Sequence, residues 1–284
     1  MQNIYFNFFY NYFWLIIILP CFILKKYIIF AELYILKVKT MFKNAAYRYI
    51  NGSLEEAVLE SDINMQELLA VTDNVELADK NISSFVSGGP CLNMLLWGEK
   101  GSGKSTLLRL LALKYAPQGL VTIEFIDETP GAIYNLYKII REHSDKKFLL
   151  FFDDISFKDD DVSYRRFKSA IEGGIESKPK NVIYAATSNR RHMVSASSQD
   201  TGDIYDRDEA SEQTSLQARF GLSIGFYPLN KNDYLNIVKM YLNKYKIDIV
   251  DGWEKMAESY AIDRGGRSGR LAKQFAAYLY LTQK

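Results

Sequence analysis

Cysteine and histidine are scarce. The 284 residues hold two of each, Cys21, Cys91, His143 and His192. Two thiols cannot build a disulfide framework, which points to a reducing compartment, and no clustered Cys/His set carries zinc-ligand spacing. Net charge is also nearly absent: 35 Lys and Arg stand against 34 Asp and Glu, a formal charge of +1. The chain is therefore no polycation, and electrostatics alone do not nominate nucleic acid as a partner. No internal repeat occurs. What is abundant is apolar surface, 48% of residues beside 24% charged, which excludes a wholly disordered chain and suffices for one large core or two ordinary ones.

Aromatic residues crowd the start: positions 1–40 hold 12 of the 40 Phe, Trp and Tyr. From Phe6 to Leu24 no residue is charged, about the length of a bilayer-crossing helix. Lys25 and Lys26 follow that run and nothing basic precedes it. The positive-inside rule would then leave the remainder cytoplasmic, anchored to the inner face of the membrane through residues 6–24. A cleavable signal fits poorly, because the basic residues lie on the wrong side. A second reading stands beside this one. Phe, Ile, Tyr, Lys and Asn are what AT-rich non-coding DNA yields on translation, and Met41 is a ready second start.

From Met41 onward the pattern becomes regular. Ser53-Leu54-Glu55-Glu56 fits a capping box and predicts a short helix to about Glu60; a second helix is predicted over about Glu67–Val86, so residues 41–90 read as a helical region. Five short apolar runs follow, Met94–Trp97, Val121–Ile126, Phe148–Phe152, Val182–Ala186 and Leu222–Phe226. Helical patterns separate them over Ser105–Tyr115, Ala132–His143 and Tyr164–Glu172. Continuous apolar strands alternating with helices predict a parallel five-stranded sheet covered on both faces. Ser195–Ser215 is a polar insert that reads as a surface loop. After Pro228 the pattern is helical, through Lys231–Tyr245, Asp251–Ala261 and Ser268–Gln283. The expected plan is an α/β P-loop domain over 91–228 and a small helical lid over 229–284.

The chemistry is concentrated in Gly98-Glu99-Lys100-Gly101-Ser102-Gly103-Lys104-Ser105, a complete G-x-x-x-x-G-K-[ST]. It follows a predicted strand and precedes a predicted helix that opens at Thr106. Glycines let the backbone curl so that successive N–H groups face phosphates, and the helix N-terminus adds partial positive charge. Lys104 would reach the β- and γ-phosphates and Ser105 would hold Mg²⁺, with ATP as the expected nucleotide. The apolar run Phe148–Phe152 delivers Asp153 and Asp154 to the end of its strand. Asp153 would bind Mg²⁺ through water, and Asp154 would polarise the attacking water.

The P-loop, the Phe148–Asp154 strand and the helical tail resemble, in that order, the AAA+ branch of P-loop ATPases over roughly Leu68 to Gln283. More closely, LLWGEKGSGKSTL, FFDDISF, ATSNRRHM and RFGLSIGFYPL together resemble a bacterial domain-of-unknown-function family of predicted ATP-binding AAA+ proteins. The resemblance implies ATP binding, and the expectation built on it is slow Mg²⁺-dependent ATP hydrolysis coupled to an oligomer and to lid movement. It implies a sensor residue within Thr187-Ser188-Asn189, best matched by Asn189, that orients the attacking water. It implies an arginine finger, Arg219, reaching a neighbouring subunit's γ-phosphate, and a lid arginine matched by Arg270 with Arg267 as competitor. In the wider AAA+ group the residue after the metal aspartate is usually Glu. Here it is Asp154, which suggests a weak hydrolase that Asp154→Glu should speed.

Other readings remain in play. A non-hydrolysing nucleotide switch or scaffold, membrane-attached through residues 6–24, uses the same P-loop. The family resemblance supplies no client, so a protein or nucleic-acid client is unspecified. Arg165, Arg166, Lys168, Arg190, Arg191 and His192 are the basic residues that could meet nucleic acid, an ordinary solvated or subunit-contact surface being the preferred reading. Asn230-Lys231-Asn232-Asp233 spells the guanine-reading N-K-x-D, and Asp127–Gly131 superficially resembles a GTPase switch. Asn and Asp also suit the first turn of a helix, and that reading is preferred to GTP.

Overall fold

The computed structural model describes residues 42–127, 129, 131–155, 176–189, 220–249 and 251–282. The hydrophobic run 6–24, the predicted helix Tyr164–Glu172, the insert 195–215, the basic residues named above and Arg219 lie outside the described residues. Among the described residues no helix is long and apolar enough to cross a membrane. The chain divides into two compact units, Met1–Lys43 and Asn44–Lys284, and the elements described belong to the second.

The strands are β1 (Ala46–Ile50), β2 (Ser53–Glu56), β3 (Met94–Gly98), β4 (Leu120–Phe125), β5 (Lys147–Phe152), β6 (Val182–Ser188) and β7 (Leu222–Phe226). The helices are α1 (Thr72–Val86), α2 (Lys104–Tyr115), α3 (Ala132–Arg141), α4 (Lys231–Lys244), α5 (Trp253–Ile262) and α6 (Gly269–Thr282). One sheet runs β2-β1-β4-β5-β6-β3-β7, with every pair parallel except β1–β2. The five predicted apolar runs are β3 to β7, side by side.

The sheet is larger than the five strands expected, and the predicted helix at Ser53–Glu60 is instead β2. Asn51 and Gly52 have φ of 49° and 73°, the double positive φ that a two-residue hairpin turn of type I′ requires. Ser53 Oγ donates to Ile50 O at 3.1 Å inside that turn rather than capping a helix. The capping box lies eleven residues later. Asn64 Oδ1 accepts from the amides of Gln66 and Glu67 at 2.9 and 3.1 Å, and Glu67 Oε2 accepts from Asn64 N at 2.9 Å. It caps only the 3₁₀ turn Met65–Glu67. Ala70, with φ of 64°, keeps that turn from running into α1, which therefore starts at Thr72 rather than Glu67. Asp127, 2% exposed, accepts from Gly52 N at 2.5 Å and Thr129 N at 2.8 Å. It pins the hairpin to the end of β4, a structural use of the segment that resembled a GTPase switch.

Strands buried on both faces need helices on both sides. On one face Met94, Leu96, Leu149, Ile183 and Ile224 form a single cluster with Ile82 and Phe85 of α1, Leu107 and Leu111 of α2, and Val238, Ala257 and Phe275 of α4, α5 and α6. On the other face a row of rings crosses the sheet, Tyr49, Phe125, Phe152 and Tyr184, at centroid spacings of 5.6, 5.6 and 5.9 Å. The row continues into α3, where the Tyr137 and Tyr184 hydroxyls hydrogen-bond. Both layers leave the C-terminal ends of β3, β5 and β6 open to a cavity, the usual ligand position in a parallel α/β sheet.

Candidate functional site

The loop after β3 is shaped by glycine. Gly98 has φ of 119°, and a Cβ there would lie 2.0 Å from Phe226 O, so only hydrogen lets β3 close on β7 at this point. Glu99 N donates to the same carbonyl at 2.9 Å. Ser102 Oγ returns to Glu99 O at 2.7 Å and closes the loop on itself, after which α2 begins at Lys104.

Lys104 is 5% exposed. Its ammonium donates to Gly98 O at 2.9 Å, Glu99 O at 2.7 Å and Asn189 Oδ1 at 3.0 Å. Burial holds its pKa below the usual lysine range, opposed by the negative charges of Asp154, Glu99 and Asp153. Oxygen atoms of the loop and of Asn189 thus surround a cation at the base of the cavity, an arrangement that can accept phosphate oxygens in their stead.

Asp153 and Asp154 leave β5 beside this lysine. Ser105 Oγ donates to Asp153 Oδ1 at 2.9 Å, and Thr187 Oγ1 donates to the same oxygen at 2.6 Å. Asp154 has φ of 52°, left-handed backbone that aspartate tolerates better than most residues. Its amide donates to Thr187 Oγ1 at 2.8 Å, and its Oδ1 accepts from Asn189 Nδ2. The strand order β5-β6-β3 brings Asp153, Asp154, Thr187, Asn189 and Lys104 together although 85 positions separate the last two.

The cavity above them measures about 360 Å³ and is lined by residues 100–106, both aspartates, Thr187 and Asn189 on the sheet side. Ile63, Leu68, Leu69, Leu229, Ile237, Met240 and Tyr241 make its other, apolar wall. Arg270 lines it, and the Arg270 amide donates to Gly101 O at 3.3 Å. A Cβ on Gly101 would come within 3.1 Å of Arg270 Cβ, so the loop and the first turn of α6 touch. Arg267 is committed elsewhere, in a two-pronged pair with Glu258 at 2.8 and 2.7 Å. Of the two competing arginines, Arg270 therefore faces the cavity. Asn230 caps α4, its Oδ1 accepting from Asp233 N at 2.8 Å.

The residues fit a nucleotide with magnesium. A hydroxyl and a carboxylate meet where the phosphate loop enters its helix, both hard oxygen donors of the kind Mg²⁺ takes. Among the described residues no three His, Cys, Asp or Glu converge as a metal cluster; an ion shared with phosphates needs only one or two protein ligands. Asp62, Glu67, Leu68, Tyr241, Lys273 and the role of Thr187 were not foreseen from the sequence. The Asn64–Glu67 capping box was the one local signal that this stretch is ordered.

A model of the family described as "Protein of unknown function (DUF815)" matches residues 42–283. The chain belongs to that family. No curated protein matches this DUF815 member in sequence. Its fold is similar to the FIGL-1 AAA domain in complex with ADP, at 17% identity and a TM-score of 0.50, over 78% of this chain and 73% of that one. It is also similar to a point mutant of Thermotoga maritima RuvB, at 16% identity and a TM-score of 0.50, over 78% and 67%. The Thermotoga maritima RuvB Holliday junction branch migration motor matches at 17% identity and a TM-score of 0.49, over 75% of this chain; the chain spans 63% of its length. The DUF815 chain thus has the AAA+ type of P-loop α/β fold, with its sheet extended by β1 and β2.

Proposed function

We propose that this DUF815 member is an ATP-binding AAA+ protein that hydrolyses ATP slowly and works as an oligomer. The observation that carries this reading is the hydrogen-bonded set of Lys104, Ser105, Asp153, Asp154 and Asn189, joined through Thr187, at the mouth of the phosphate loop. Lys104 exchanges its carbonyl partners for β- and γ-phosphate oxygens, and the loop from Gly98 to Ser105, with Thr106 behind it, cradles the chain of phosphates. Ser105 and Asp153 would hold Mg²⁺, which when bound neutralises charge on the phosphates. Asp154 receives the proton side of the attacking water, and Asn189 orients that water beside the γ-phosphate. Helices α4 to α6 act as the lid over the α/β domain, which β1, β2 and α1 extend beyond the expected residues 91–228, with Arg270 as its contact to phosphate and Arg219 as the finger toward a neighbour. The apolar wall from Ile63 to Tyr241 takes the base.

The test is phosphate release by the full chain with ATP and Mg²⁺ across a protein concentration series, beside Lys104→Ala and Arg219→Ala. Turnover that rises with concentration and disappears in both variants supports an oligomeric ATPase. Failure of ATP to bind at all ends this reading. A second reading has its own support: the Asp154 carboxylate is shorter than Glu and engaged by Asn189, which suits a switch that binds without turning over. Tight binding with no phosphate release selects it.

A further inference from the structure

We propose that Thr187 is a positioning residue that sets both the metal-side carboxylate and the candidate base with one hydroxyl. This rests on the nucleotide reading of the cavity. Thr187 is the sixth residue of β6 and 2% exposed. Its hydroxyl donates to Asp153 Oδ1 at 2.6 Å and accepts from Asp154 N at 2.8 Å, while its carbonyl accepts from Ile155 N at 2.8 Å. Three successive residues leaving β5 are therefore tied to one residue of β6.

The backbone explains why a side chain is needed. The β5–β6 pairing runs to Phe152 and Ala186, after which Asp154 turns left-handed and carries its amide off the ladder. Off the ladder that amide needs another partner, and the buried Thr187 hydroxyl supplies one while spending its proton on Asp153. That proton completes a pair of hydroxyls on one carboxylate oxygen, Ser105 from α2 and Thr187 from β6. The plane of the Asp153 carboxylate is thus set from two sides. The β-branched side chain is stiff at χ1, which keeps the hydroxyl between its two partners. The proton of this hydroxyl is taken by Asp153 and a lone pair by the Asp154 amide, so Thr187 acts through Asp153 and Asp154.

The experiment compares Thr187→Val and Thr187→Ser with the parent in the full chain, titrating a fluorescent ATP analogue in EDTA and again in excess Mg²⁺. The parent should bind in both, more tightly with Mg²⁺. Thr187→Val, which keeps shape and loses both hydrogen bonds, should match the parent within about twofold in EDTA and lose about tenfold in the Mg²⁺-dependent gain, the usual scale for a partner of a metal ligand. Thr187→Ser should recover the gain to within about threefold. A Thr187→Val protein with the parent's full Mg²⁺ gain overturns the proposal, as does one equally weakened in EDTA. Should Thr187→Val not fold, Thr187→Ala against Thr187→Ser makes the same comparison. No binding by the parent in either buffer refutes the nucleotide reading itself, and the proposal falls with it; the parent arm tells the two failures apart.

Discussion

At the sheet end of the cavity, Lys104, Asp153, Asp154, Thr187 and Asn189 hold one another by hydrogen bonds between groups rooted in three adjacent strands. At the opposite wall, the stretch from Asp62 to Glu67 meets α4 and α6 through ion pairs. Lys244 bonds Glu67 at 3.0 Å and also the Asp62 carbonyl, and Lys273 bonds the Asp62 carboxylate. Glu67 and Asp62 are 27% and 55% exposed in those pairs, so each is worth about 0–1 kcal/mol and is screened by salt. At the sheet end Lys104 and Thr187 are buried, so a group that loses its bond to either keeps its desolvation penalty; Asp153, Asp154 and Asn189 are exposed. The phosphate end therefore rests on two buried polar anchors, whereas the ion pairs of the opposite wall are loose enough to adjust around what it binds.

Gly98→Ala tests the stiff side most severely. Its Cβ would collide with the Phe226 carbonyl in a backbone conformation that suits glycine. We expect a loss of at least about 3 kcal/mol and a melting temperature lower by about 10 °C. A melt within about 3 °C of the parent would show that the β3–β7 junction yields more readily than its geometry implies. Lys104→Ala should weaken ATP binding about 100-fold. It should also lower the melting temperature by a few degrees, because Gly98 O, Glu99 O and Asn189 Oδ1 lose their shared donor. An unchanged melting temperature would mean that the burial penalty on the charged lysine cancels those contacts.

Asp154 gives a finer test. Relaxing its left-handed backbone with Asp154→Gly should stabilise the fold by roughly 1 kcal/mol in urea denaturation while removing hydrolysis, and Asp154→Glu should cost about as much. The strained backbone thus runs against the simple expectation that a longer carboxylate repairs the enzyme. If Asp154→Glu is as stable as the parent and turns over faster, that simple expectation stands.

The smallest effect belongs to the loose wall. Hydrogen bonding from Lys273 holds the Asp62 carboxyl below its ordinary range; Asn64 N, followed by Lys244, does the same for Glu67, and Arg267 for Glu258. Carboxyls depressed on folding contribute stability that is present above their unfolded pKa, about 4, and lost as the pH falls through the folded values. Amides of α4 and α6 should lose hydrogen-exchange protection below about pH 4 and, more weakly, at high salt, before those of β5 and β6 do. Simultaneous loss in helices and strands would erase the distinction between the two walls.

How much of this was readable in advance follows from the same contrast. Strands β3 to β7 were legible because burial on both faces leaves continuous apolar runs, and the phosphate loop because its spacing is dictated by phosphate geometry. The hairpin was missed although Asn51-Gly52 is a strong turn signal; Ser53-x-x-Glu56 matched a capping box and drew the reading to a helix. Of the loose wall only the Asn64–Glu67 capping box had a local signal; its ion pairs were not readable, since Asp62 meets Lys273 across 211 positions. Thr187 lay inside a segment already singled out, but only the left-handed turn at Asp154 reveals the amide it must serve. The choice between Arg270 and Arg267 turned on Glu258, nine residues before the latter, whose orientation no spacing rule supplies.

The hydrogen bond from the Arg270 amide to Gly101 O has a mechanical consequence. It joins the tip of the phosphate loop to one end of α6, a helix of 14 residues and so about 21 Å long. A tilt of about 5° at that joint carries the far end, at Thr282, by about 2 Å. A displacement of the loop too small to disturb the sheet is in this way magnified at the outer surface, where Tyr278 and Leu281 are exposed.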